Sequence, residues 1–79
     1  MITLRILTPS SGETHDATAV FLPGAMGSFE VLPGHAALIS ALAAGELRWR
    51  GAGSEERTLA VKSGMVRVEN DVVTVCCEI

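Results

Sequence analysis

The sequence has no tyrosine, two phenylalanines and one tryptophan, so aromatic residues make up only 4% of it. Single-stranded nucleic acid is held on aromatic platforms, and duplexes are held by basic faces. Six Lys and Arg against nine Asp and Glu give a net charge of -3, so neither mode is expected. The charges read as a mildly acidic, solvated surface. Cysteine is confined to the adjacent pair Cys76 and Cys77. Neighbours on a strand point to opposite faces, so a bond between them needs strained geometry. With no second pair they frame neither a disulfide scaffold nor a zinc site. Both read as small apolar residues packing in the last strand, in a reducing compartment. No signal-peptide pattern and no run of eighteen apolar residues is present, which predicts a soluble chain.

Chemistry-bearing patterns are equally sparse. Gly24-Ala25-Met26-Gly27 has two glycines but no following Lys-Ser or Lys-Thr, and no helix opens after it. It does not satisfy the requirements of a phosphate-binding loop, and no nucleotide binding is expected. No serine sits in a nucleophile elbow. A thiol nucleophile needs a base or cations nearby, and Cys76 and Cys77 lie among valines instead. His15, Asp16 and His35 are the candidate metal ligands, with nothing in the sequence to bring them together. No cofactor is expected.

What remains is a strongly patterned chain of 79 residues, 48% of them hydrophobic. Chains of this size form one domain and bury only about 60% of their unfolded surface. The apolar residues recur with period two. Ile2, Leu4 and Ile6 alternate with Thr3 and Arg5, while Ala17, Ala19 and Phe21 form one face of a second run, with Val20 and Leu22 on the other. Leu47 and Trp49, Leu59 and Val61, Val66 and Val68, then Val73, Val75 and Cys77 continue the series. This is the pattern of half-buried strands. The breaks carry turn chemistry: Thr8-Pro9-Ser10-Ser11-Gly12, Gly51-Ala52-Gly53-Ser54, Ser63-Gly64 and Asn70-Asp71. His15-Asp16 falls in a region read as turn. Ala36 to Ala44 is rich in Ala and Leu, and predicts either a short helical turn or an irregular strand. The expected fold is all-β, a flattened sandwich or barrel of about eight to ten short, mainly antiparallel strands in one domain, residues 1–79.

The most distinctive segment is Leu22 to Leu42, LPGAMGSFEVLPGHAALISAL. It holds two Leu-Pro-Gly corners, Leu22-Pro23-Gly24 and Leu32-Pro33-Gly34, each with the proline and glycine that a type II turn requires. The corners fix the ends of a loop with the adaptable, apolar Met26 at its tip and Phe29 as anchor or core residue. Apolar groups on a rigid loop suit docking to another protein.

At this segment the chain resembles the N-terminal β-sandwich domain of the epsilon subunit of bacterial F-type ATP synthase, the delta subunit of mitochondria. The resemblance runs through Leu4-Arg5-Ile6-Leu7-Thr8-Pro9, Val20-Phe21-Leu22-Pro23-Gly24, Gly27, Phe29 and Leu32-Pro33-Gly34-His35-Ala36. It continues through Leu38, Leu42, Gly45, Leu47-Arg48, Val61 to Gly64, Val66-Arg67-Val68-Glu69 and Val73-Thr74-Val75. Ala37 stands where that family usually has proline, and Glu30 where it usually has glycine. Family members continue into a two-helix hairpin tied to inhibition of hydrolysis and, in some bacteria, to ATP binding. The sequence ends at Ile79, so neither property transfers.

The resemblance implies a non-catalytic central-stalk rotor subunit that couples the gamma subunit to the membrane c-subunit ring during ATP synthesis driven by ion transport. It implies a peripheral position on the cytoplasmic face of the bacterial inner membrane, held there only through the ring. The expected ring contact is Gly24, Ala25, Met26, Gly27, Ser28 and Glu30, with Phe29 beneath. The expected gamma contact is His35, Ala36, Ala37, Leu38 and Ser40. The alternative is an isolated metal- or ligand-binding β-module using His15 and His35.

Overall fold

A computed structural model describes all of residues 1–79. The chain forms β1 (Ile2–Leu7), β2 (Gly12–Ala17), β3 (Ala19–Leu22), β4 (Phe29–Val31), β5 (Leu38–Leu42), β6 (Gly45–Arg50), β7 (Glu56–Val61), β8 (Ser63–Glu69) and β9 (Val72–Glu78), with no helix. Two sheets result, a five-stranded one in the order β2-β1-β9-β8-β5 and a four-stranded one in the order β4-β3-β6-β7. All pairings are antiparallel except β1 with β9, where Thr3 lies beside Val72 and Leu7 beside Cys76.

The period-two residues are the core. Ile2, Leu4, Ile6, Val66, Val68, Val73, Val75 and Cys77 line the inner face of the larger sheet. Val20, Leu22, Val31, Leu47, Trp49 and Val61 meet them from the smaller one. Each aliphatic side chain so buried stabilises the fold by roughly 1.5–3 kcal/mol relative to exposure. No polar or charged residue is buried, so the interior carries no desolvated charge to compensate.

Three local readings change, and the open alternative at residues 36–44 is decided in favour of a strand. Gly12–Ala17 is a strand, not a turn region. It is an edge strand whose only buried residue is Ala17, so it shows no apolar alternation. Such charged edges resist pairing with other chains. The segment 36–44 contains the strand Leu38–Leu42 and no helical turn. Pairing with β8 supplies its hydrogen bonds, and tertiary contacts override the helix preference of Ala and Leu. Ser63-Gly64 opens β8 rather than forming a link; Lys62 alone separates β7 from β8, and its amide donates to the Glu78 carbonyl at 2.7 Å. Cys76 is exposed, so only Cys77 belongs to the core. At Asn70 and Asp71 the φ values of 51° and 61° give the expected tight hairpin, of the type whose twist matches that of the strands.

Candidate interaction surface

The connection from β3 to β4 forms a tongue whose base is stitched to the end of β5. The Ala25 amide donates to the Ala41 carbonyl at 2.9 Å, and the Ala43 amide donates to the Pro23 carbonyl at 2.8 Å. Gly24 forms an isolated bridge with Leu42. The corner at Pro23-Gly24 is not the expected type II turn, because Gly24 lacks the positive φ of that turn. Instead the Gly24 amide donates back to the Leu22 carbonyl at 3.0 Å, a three-residue turn centred on Pro23. The Gly27 amide then donates to the Gly24 carbonyl at 3.0 Å and closes the tip.

Gly24 is buried, so among the expected ring-contact residues it shapes the base of the tongue rather than its surface. A Cβ there would lie 2.5 Å from the Gly27 carbonyl oxygen and 2.9 Å from the Phe29 ring, closer than atoms can pack. Phe29 is half-buried against the core and supports the tongue from beneath. Ala25, Met26, Gly27 and Ser28 are exposed, as is Glu30 on the short strand β4. Met26 is 99% exposed, an apolar side chain without a partner in the domain.

The second corner behaves as expected. The His35 amide donates to the Leu32 carbonyl at 3.1 Å and Gly34 has φ +84°, which only glycine adopts without strain. His35 Nδ1 donates to the Ala36 carbonyl at 2.7 Å. The Gly34 amide donates to Asp71 Oδ1 at 2.7 Å. Ala36 and Ala37 are exposed and His35 is half-buried.

Beyond the corner, β5 sorts its residues by face. Leu38, Ser40 and Leu42 lie opposite Val68, Val66 and Gly64 on the inner side, and Leu38 packs against the core. Ile39 and Ala41 lie opposite Arg67 and Met65 and point outward. Of the expected gamma-contact residues, Leu38 and Ser40 are therefore turned inward, and the outward positions are Ile39, 71% exposed, and Ala41. Strict alternation applied from Leu42 backward carries this signal. The helical alternative masked it.

The two histidines do not converge. His15 Nε2 donates to Glu13 Oε1 at 2.7 Å and its ring stacks on Trp49, whereas His35 belongs to the second corner. No group of three or more His, Cys, Asp or Glu side chains is arranged to hold a metal ion. The depression beside Cys76 is lined by Leu7, Thr8, Pro9, Ser63 and Glu78, with no histidine and no cation. Burial pushes the Cys77 thiol above its ordinary value, and the neighbouring Cys76 adds to the rise. That is the opposite of the shift a thiolate nucleophile needs. No helix is long and apolar enough to cross a membrane.

The fold and its surface define a small two-sheet β-sandwich, with an apolar-tipped tongue at one end of β5 and a proline-glycine corner at the other. Over residues 1–79 the sequence matches the beta-sandwich domain of the ATP synthase delta/epsilon chain, and the chain belongs to that family. It is 38% identical over 98% of its length to the ATP synthase epsilon chain of Desulforapulum autotrophicum. It is 45% identical over 94% of its length to that of Synechococcus elongatus. The chain spans 58% and 54% of those two relatives, little more than half of each. The fold matches a chain in the mitochondrial ATP synthase of Euglena gracilis with a TM-score of 0.88 at 22% identity, covering 96% of this chain and 49% of that one. A chain from the central stalk and c-ring structure of the Tetrahymena thermophila enzyme gives 0.83 at 14% identity, covering 99% and 63%. At those identities the two structures speak to the fold.

Proposed function

We propose that this domain is a non-catalytic part of the ATP synthase central stalk, joining the gamma subunit to the c-subunit ring during ion-driven ATP synthesis. The observation that carries this is the family match from the first residue to the last, on a chain with an exposed apolar tongue. The tongue, Ala25 to Ser28 with Glu30, meets the polar loops of the ring. The opposite corner, His35 to Ala37 with the outward residues Ile39 and Ala41, meets gamma. Between them β5 spans about 16 Å at the usual rise of a strand. Its ladder to β8 forms a stiff strut along which force passes between the two contacts. The domain stands on the cytoplasmic face of the bacterial membrane and touches the membrane only through the ring. Its nucleotide chemistry resides on other subunits, and it binds none itself.

The test is reconstitution. Mixed with purified gamma, the chain elutes as a stoichiometric complex, and adding detergent-solubilised ring extends that complex. A chain that remains monomeric with gamma and with the ring is not a stalk component.

A further inference from the structure

The connector Leu32–Ala37 carries the chain from β4 in one sheet to β5 in the other. Within it, one hydrogen bond closes the Leu32–His35 turn, and His35 bonds to its neighbour Ala36. A single hydrogen bond ties these residues to the rest of the domain, the 2.7 Å contact from the Gly34 amide to Asp71 Oδ1. Asp71 is itself a fixed point. It sits in the β8–β9 hairpin with φ 61°, and its carbonyl accepts the Thr3 amide at 2.9 Å. Its backbone thus locks to β1 while its carboxylate reaches the corner.

We propose that Asp71 is the positioning residue of the gamma-docking corner: its carboxylate clasps Gly34 and holds His35, Ala36 and Ala37 in the orientation that docks. This rests on the assignment of that corner to gamma made above. A bond from an amide to a charged acceptor is among the stronger protein hydrogen bonds, and here no second bond replaces it. Without it, the connector keeps its own internal bonds, the fixed φ of Pro33 and its two ends, but no hydrogen bond to the rest of the domain.

The experiment uses two substitutions that both suit a left-handed backbone. Asp71→Gly adopts φ 61° freely and removes the carboxylate. Asp71→Asn keeps a side-chain oxygen in place and tolerates the same φ. Amide hydrogen exchange at Gly34 is measured in the free chain, and affinity for purified gamma by calorimetry. For Asp71→Gly, Gly34 exchanges about tenfold faster and gamma binds about tenfold more weakly, the scale of one charge-assisted hydrogen bond. Thermal unfolding stays close to that of the native chain, because the hairpin is intact. Asp71→Asn restores most of both. Unchanged Gly34 exchange in Asp71→Gly overturns the clasp, and faster exchange with undiminished gamma affinity overturns its role in docking. If the native chain binds no gamma, the stalk assignment falls and the docking role with it, while Gly34 exchange still decides whether the clasp exists.

Discussion

The imidazole of His15 lies over the indole of Trp49, with ring centroids 4.9 Å apart and planes inclined by 33°. The contact bridges the two sheets, since His15 is on β2 and Trp49 on β6. Apart from the small buried Ala17 at its end, β2 carries no apolar side chain, so it offers no large one of its own at this margin. His15 fills that place with an aromatic face while its Nε2 donates to Glu13. A histidine that looks like a stray ligand in the sequence is thus a lid on the core.

Replacing His15 with Ala uncovers an indole that is only 5% exposed in the native chain. Trp49 is the only tryptophan, so its emission reports this site alone. His15→Ala shifts that emission to longer wavelength and lowers the unfolding free energy by about 1 kcal/mol, the usual worth of an aromatic pair. An unchanged spectrum would show that something other than His15 shields the indole.

The legible parts of the fold were those in which one face is apolar and the other polar. β1, β6, β8 and β9 declare themselves through Ile2-Leu4-Ile6, Leu47-Trp49, Val66-Val68 and Val73-Val75. β2 was not legible, because Glu13, Thr14 and Asp16 face solvent and give no period. β5 was ambiguous because Ala and Leu favour a helix locally, and only the partner strand β8 decides the matter. At the tongue, sequence chemistry located the loop and its apolar tip. It misassigned the turn at Pro23-Gly24, because the bonds to Ala41 and Ala43 that set it come from a strand many residues away. Asp71 was visible only as a turn residue. Its reach to Gly34 is a tertiary fact with no local signature.

The tongue separates shape from contact. Met26 is solvated, so Met26→Glu changes the unfolding free energy by less than about 0.5 kcal/mol, as exposed substitutions usually do. If the tip docks to the ring, the same substitution abolishes assembly with the ring while leaving the gamma complex intact. Gly24→Ala behaves in the opposite sense. Its Cβ meets the Gly27 carbonyl and the Phe29 ring, so the base must open. A cost of roughly 1–3 kcal/mol is expected, as for other overpacked sites, and chemical denaturation measures it. Equal stability for the two variants would mean that the base does not set the tongue.

On β5 the two faces make opposing predictions. Ile39→Asp places a charge at a position already 71% exposed, so stability changes little. Its effect falls on the complex with gamma, which weakens by at least tenfold when pull-down is made quantitative. Leu38→Ala removes a half-buried side chain from the edge of the core. It lowers stability on the order of 1–2 kcal/mol, less than a fully buried leucine would, and the correctly folded fraction still binds gamma. The reverse pattern, with Leu38→Ala blocking binding and Ile39→Asp silent, would move the docking face to the other side of the strand.

The adjacent thiols give a measurement that needs no partner. Cys76 faces outward and Cys77 inward, so a small thiol reagent modifies Cys76 in the native chain and reaches Cys77 only on unfolding. The Cys77 thiol is held above its ordinary value of 9.0, chiefly by burial and secondarily by Cys76. A raised value in the folded state means that the unfolded chain gives up this proton first as pH rises. The associated stability is therefore complete below pH 9.0 and declines as pH climbs from there through the raised folded value. Cys77→Ala removes that dependence at the expense of a small cavity. Comparing denaturation midpoints of the native and substituted chains on either side of pH 9.0 isolates the contribution, since the gap between them narrows on the alkaline side. A gap that stays constant would mean that Cys77 ionises as readily in the folded chain as in the unfolded one, which its burial in the core cluster, two residues beyond Val75 on β9, argues against.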